Sequence, residues 1–227
     1  MDFADWEPVY TAILDDFGFD RAGDERARDL LGDLTTEFDL SRLVFTGGTV
    51  AVVGGGPLPS EELARVHRAD RVVAVAHAAE ICRREDIPID LVVTDLDTDP
   101  ERAVVLTQGT PVAVAAHGDN IPALEAFVPK MTQRNVLGTT QANPIGHLLN
   151  VGGFTDGDRA AFIADHCGAK SLIFPGWDFD DPDVNPIKRR KLAWAERLLR
   201  WLEQRRNERF AVLDGRRATI DTTVIPD

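Results

Sequence analysis

The stretch Asp90-Leu91-Val92-Val93-Thr94-Asp95-Leu96-Asp97 decides the fold. Its apolar, β-branched first half reads as a short buried strand. Its second half sets two carboxylates two residues apart, where that strand should stop. Side chains at i and i+2 of an extended chain point the same way. Asp95 and Asp97 are therefore expected to converge just past the strand's carboxyl end. In open α/β sheets, ligands bind there. Two carboxylates brought together repel unless a cation or a proton lies between them. Mg²⁺ takes oxygen ligands and commonly joins one or two carboxylates to a substrate's phosphates. The same residues also suit a solvated acidic turn in an Asp-rich chain.

Working outward, further short strands are expected at 49–53, 71–76, 111–116, 134–138 and 170–174, with helices between several of them. That alternation implies parallel βαβ units. The expected fold class is α/β, an open and mostly parallel sheet with helices on both faces. Residues 1–45 are expected to form a helical extension packed on the core, with Trp6, Val9, Tyr10, Ile13 and Leu14 at helical spacing. No chemistry suggests itself there. Residues 46–227 then form the α/β catalytic domain, within a single domain overall. Its end is expected to be a helix over about 187–206 and a β-hairpin flanking Asp214-Gly215.

Polar groups cluster where these strands stop. After 49–53 comes Gly54-Gly55-Gly56-Pro57, with Ser60 as the expected N-cap of a helix over 61–67. Strand, glycine turn and helix start make an anion site from bare backbone N–H groups. A tight turn also needs glycine for its own sake. The pattern is neither the dinucleotide fingerprint nor a Walker loop. His77 follows the second strand, His117-Gly118-Asp119-Asn120 the fourth, and Thr139-Thr140-Gln141-Ala142-Asn143 the fifth. Asn150 and Phe154-Thr155-Asp156-Gly157-Asp158-Arg159 precede and open a helix over 158–167, with Thr155 or Asp156 as its cap. In a parallel sheet all of these gather on one edge. Glycines for phosphate, paired Asp for a divalent ion, and amides and hydroxyls for a polar ring describe a nucleotide-dependent transferase.

Composition narrows the partners. A chain of 227 residues that is 44% hydrophobic can bury a full core. A net charge of −13 argues against nucleic acid. Only four of the 25 basic residues are lysines, and an acidic, arginine-weighted surface suggests a halophilic archaeal source. The stretch 188–209 reverses this balance with a local net charge of +6. A basic helix on an acidic body faces an anionic ligand, another subunit or solvent. No apolar run approaches the roughly 20 residues of a membrane helix, and the acidic N-terminus lacks a basic signal head. A cytoplasmic protein without a membrane partner is expected. Cys82 and Cys167 have no ligand spacing and read as buried small hydrophobes.

In order, Thr94-Asp95-Leu96-Asp97, His117-Gly118-Asp119-Asn120, Thr139-Thr140-Gln141 and above all Gly153-Phe154-Thr155-Asp156-Gly157-Asp158-Arg159-Ala160 resemble the archaeal 6-hydroxymethylpterin diphosphokinase (MptE-like) family over residues 50–202. That family is similar in fold to thiamine pyrophosphokinase. The resemblance implies transfer of diphosphate from ATP to 6-hydroxymethyl-7,8-dihydropterin with release of AMP, for folate or methanopterin synthesis. It implies Asp95 and Asp97 as Mg²⁺ ligands, with Asp119 in a supporting catalytic role. Gly54, Gly55, Gly56, Thr155, Asp156 and Arg159 would hold ATP. His77, His117, Asn120, Thr140, Gln141, Asn143 and Asn150 fall to the substrate side, and a homodimer is a further partner expectation. No general base is assigned: Asp95 or Asp119 could serve, or the metal alone could suffice. The chain departs from the family pattern in having His77-Ala78-Ala79 in place of Asp-Gly-Ala, and Thr98 in place of Gly after the second Asp. Two other readings fit the residues: a glycosyltransferase-like protein using Asp95-Leu96-Asp97 for a nucleotide sugar, and a catalytically silent nucleotide-binding module.

Overall fold

Six short strands carry the β-branched runs: β1 (Thr49–Val53), β2 (Arg71–Val75), β3 (Leu91–Thr94), β4 (Val112–Ala116), β5 (Val136–Thr140) and β6 (Ser171–Ile173). They form one sheet in the order β5-β4-β3-β2-β1-β6, and every pairing is parallel. The computed structural model describes residues 1–226; Asp227, the last residue of the expected catalytic domain, lies outside them. Nearly every strand residue is buried, as expected of a sheet covered on both faces.

The helices are α1 (Phe3–Phe17), α2 (Arg21–Leu34), α3 (Ser60–His67), α4 (Ala76–Arg84), α5 (Pro100–Leu106), α6 (Ile121–Phe127), α7 (Asp156–His166) and α8 (Pro186–Arg206). Alternate strand residues divide the core between the two faces. Val50, Val52, Val73 and Val93 pack with residues of α1, α7 and α8. Val92, Val112 and Val114 face α2 and α6, while Ala51, Val53 and Ala74 face α3 and α4. All five apolar positions expected on α1 are buried, and Trp6 stacks between Tyr10 and Trp201 of α8. Among the described residues, no helix is long and apolar enough to cross a membrane.

Four local expectations need correction. There is no C-terminal hairpin among the described residues. Residues 211–213 form one 3-10 turn instead. The backbone groups a hairpin would pair are taken by side chains: Phe210 N donates to Glu203 Oε1 at 2.7 Å, and Arg217 donates to Phe210 O at 2.7 Å. Ser60 is the first residue of α3 and not its cap; Pro59 precedes it without a side-chain hydrogen bond. Helix α5 was not expected, although Asp99 capping Arg102 N and Pro100 in the first turn are start signals. Cys82 is buried, but Cys167, at the end of α7, is half-buried.

Candidate active site

One cavity of about 660 Å³ opens at the carboxyl edge of the sheet, within the size range of small-molecule sites. Its floor is made by the turn after β3. That turn is not extended: Leu96 has φ 64°, and Asp97 N donates to Asp95 Oδ1 at 3.1 Å. A leucine in left-handed conformation costs about 1 kcal/mol or more. Its side chain, 2% exposed within the core, offsets that cost. The two carboxylates reach the cavity together because the chain turns back between them, and not because they share a face of a strand.

Asp95 is anchored. Its carboxylate lies 3.3 Å from His117 Nε2, and its main-chain oxygen accepts from Asn120 Nδ2 at 2.7 Å. Burial by itself pushes the Asp95 carboxyl up; the His117 hydrogen bond and the Asp97 amide outweigh it and hold the group well below the usual range. Asp97 goes the other way, raised by burial and then by the charge of Asp95, while a Thr98 hydrogen bond and the charge of Lys191 moderate the shift. Asp156, in the first turn of α7, is raised further by burial and by both of those carboxylates. Three carboxylates thus repel one another across the cavity. Among the described residues they do not close into a cage of three or more protein ligands. Such an open, oxygen-only set fits Mg²⁺, which keeps waters and substrate phosphates in its shell.

The opposing charge comes from α8. Lys188 and Lys191 line the cavity; Lys188 adds to the buried Arg159 in lowering Asp156, and Lys191 is the cation felt by Asp97. Lys191 Nζ stands 5.9 Å from the centre of the Phe154 ring. Arg190 and Arg197 of the same helix pair with Asp16 and Asp221. The two lysines are left to the cavity. The basic helix therefore turns one charged face to the site, and the sequence signal for it was the choice of lysine in an arginine-rich chain.

The glycine turn does something other than expected. The connections of β1 and β6 leave toward opposite sheet faces, an arrangement that often opens a binding crevice. Here Gly54 N donates to Pro175 O at 2.9 Å and Gly56 N to Gly176 O at 2.8 Å, so the two loops close on each other. A Cβ on Gly54 would lie 2.5 Å from Gly176 O. Gly54 and Gly56 serve backbone approach, and their amides are not bare. All three glycines still line the cavity, as do His77, His117, Asp119, Gln141, Thr155 and Asp156.

Other expected residues lie behind the wall. Asn120 spends its side chain on Asp95 O, Ala115 O and the His117 amide. Thr140 accepts from Ala142 N, and Asn150 braces Gln141 O, Ala142 O and Gly152 N. Asn143 is exposed outside the cavity. Arg159 is 2% exposed, donates to Thr140 O at 3.3 Å and places a buried cation beneath Asp95 and Asp156. Thr155 caps α7 in a reciprocal box with the buried Asp158.

Asp24 of α2 was missed. It is 3% exposed and lines the cavity, in a segment that offered no motif. The helix start, with Asp20 accepting from Gly23 N at 3.0 Å, was its nearest signal.

Residues 30–184 match the family described as 6-hydroxymethylpterin diphosphokinase MptE-like. The chain belongs to that family. It is also similar to three curated archaeal proteins, each named 6-hydroxymethyl-7,8-dihydropterin pyrophosphokinase. The protein from Methanothermobacter thermautotrophicus is 38% identical, covering 90% of this chain and 96% of its own length. Those from Pyrococcus furiosus and Methanocaldococcus jannaschii are 34% and 31% identical, covering 89% and 90% of this chain and 95% and 97% of their own lengths. The MptE-like match starts after Asp24 and stops short of Lys188 and Lys191, so these three cavity residues are among those that lie outside it.

Proposed function

We propose that this MptE-like protein transfers diphosphate from ATP to 6-hydroxymethyl-7,8-dihydropterin and releases AMP. The observation that carries the reading is the opposition of Asp95, Asp97 and Asp156 to Lys188 and Lys191 across one cavity. A site with acidic floor and basic roof suits a divalent ion and a polyphosphate together. The family membership and the names of the relatives support the same reaction.

The chemistry assigns work to each group. The hydroxymethyl oxygen attacks the β-phosphorus, the bond from that phosphorus to the α,β-bridging oxygen breaks, and AMP leaves. Positioning and charge neutralisation supply most of the rate in phosphoryl transfers. Asp95 and Asp97 would hold Mg²⁺, which when bound withdraws charge from the phosphate oxygens. Lys188 and Lys191 hold the β- and γ-phosphates from above. His117 fixes the Asp95 carboxylate in place. Asp95, held down by its hydrogen bonds, is a poor base; Asp119, at the cavity edge, is the carboxylate that takes the hydroxyl proton. Gly55 and His77 border the nucleotide.

The test is one incubation of the protein with ATP, Mg²⁺ and the dihydropterin in high salt. AMP that appears only with pterin, together with a pterin diphosphate, is the expected result. ATP that binds without turnover, or turnover of a UDP- or CMP-sugar, would overturn the reading.

A further inference from the structure

Gln141 closes the cavity at the end formed by β4, β5 and α2. Its side-chain Nε2 donates to Asp24 Oδ2 at 2.7 Å. A carboxylate only accepts, so chemistry fixes which way this amide points. Asp24 is itself clamped: the Tyr10 hydroxyl donates to the same oxygen at 2.8 Å, and Gly118 N donates to the other at 2.8 Å. There is little slack between the two segments, since a Cβ on Gly118 would lie 3.2 Å from the Gly23 backbone. Trp6 Nε1 and Asn150 Nδ2 hold the main-chain oxygen of Gln141. With Nε2 committed, Oε1 faces the opposite way. It has no hydrogen-bond partner among the described residues, and it is not sealed from the cavity although Gln141 is only 3% exposed. An acceptor held in place by its neighbours and left open to the cavity is a site for an N–H donor of the bound molecule.

We propose that Gln141 Oε1 accepts from the exocyclic 2-amino group of the pterin, with Asp24 as the positioning residue that aims it. The assignment rests on the reading of the chain as a pterin diphosphotransferase. Two observations orient the ring. The 2-amino and 6-hydroxymethyl groups lie at opposite ends of the fused bicycle. Gln141 follows β5 and the paired carboxylates follow β3, two strand spacings or about 10 Å away, a distance the bicycle spans. The second is charge. Asp20 and Asp24 line this end, with Arg26 paired to Asp20 at 3.5 Å; the net negative charge disfavours a triphosphate and favours a neutral ring rich in N–H donors.

The experiment uses the full chain, with 6-hydroxymethyl-7,8-dihydropterin and its 2-oxo analogue as probes. Steady-state kinetics are paired with fluorescence titration of each ring, so that binding is read even without turnover. Gln141→Met is expected to raise the pterin KM and Kd about 10- to 100-fold, the effect of one unpaired N–H group. Its ATP KM should stay within about twofold of wild type. Asp24→Asn can donate as well as accept, so the Gln141 amide is free to turn. It is expected to lose the preference for the 2-amino ring over the 2-oxo ring. Thermal melts of both variants confirm folding, and each variant stands as a check on the other. A raised ATP KM with unchanged pterin KM in Gln141→Met would hand the acceptor to adenine and overturn the proposal. Equal weakening of both rings in Asp24→Asn would reduce Asp24 to a structural carboxylate. Failure to form AMP, with the 2-amino ring still preferred and Gln141→Met abolishing the preference, would sink diphosphate transfer and leave the ring assignment standing.

Discussion

The turn after β1 and the turn after β3 look alike in sequence, each a polar or glycine-rich break behind a β-branched strand, yet they serve the site in different ways. The glycines after β1 let the loop at Pro175-Gly176 come within hydrogen-bonding distance. The carboxylates after β3 are held toward a cavity where they repel each other and Asp156. Glycine reports on backbone packing, and packing has many uses. A cluster of like charges half-withdrawn from water is costly, and a chain keeps it where something of opposite charge arrives.

The largest expected effect breaks the comparison at its charged end. Asp97→Ala should lower kcat/KM about a thousandfold, with a melting temperature equal to or above that of the wild type. A loss of folding would make Asp97 a structural carboxylate. At the glycine end, Gly54→Ala should cost about 1–3 kcal/mol of stability through overpacking, because its new Cβ meets Gly176 O at 2.5 Å. Gly55→Ala, whose nearest neighbour is His77 Cβ at 3.7 Å, should melt like wild type. Chemical denaturation of the pair separates backbone approach from anion binding; equal stability for both would return the glycine turn to a phosphate role.

Removing the roof has a smaller consequence. Lys188→Met with Lys191→Met is expected to raise the ATP KM about tenfold, roughly the strength of one or two charge-assisted hydrogen bonds. The salt dependence of that KM should flatten. The smallest effect is on stability. The Asp156 carboxyl is raised in the fold, first by burial, so its ionised form disfavours the native state. Asp156→Asn should therefore melt higher than wild type at neutral pH without divalent ions. The gain should fade as pH drops through the raised folded value toward about 4, where both states of the wild type are protonated. Mg²⁺ should raise the melting temperature of both proteins through Asp95 and Asp97, and that of the wild type more, because the ion also offsets the charge of Asp156.

These contrasts also explain what the sequence made legible. The parallel sheet and the buried stripe of α1 follow from local periodicity. That Asp95 and Asp97 lie just past β3 was legible as well, but the left-handed turn at Leu96 that brings them together was not. The roles of Gly54 and Gly56 were not either, because hydrogen bonds to residues some 120 positions away leave no mark on a glycine. Asp24 was hidden for a similar reason. Its partners Tyr10, Gly118 and Gln141 meet only when α2 docks on β4 and β5. The hairpin failed because Glu203 and Arg217 took its backbone partners.

The stacking of Trp6 on Trp201 joins the first helix to the last long one, and Trp6 also grips the backbone of Gln141. On a ribosome this means that the packing of Trp6 behind Gln141 is completed only once α8 has emerged. The burial of Trp6, followed by its fluorescence during synthesis, should then reach its final value only after α8 is free to dock.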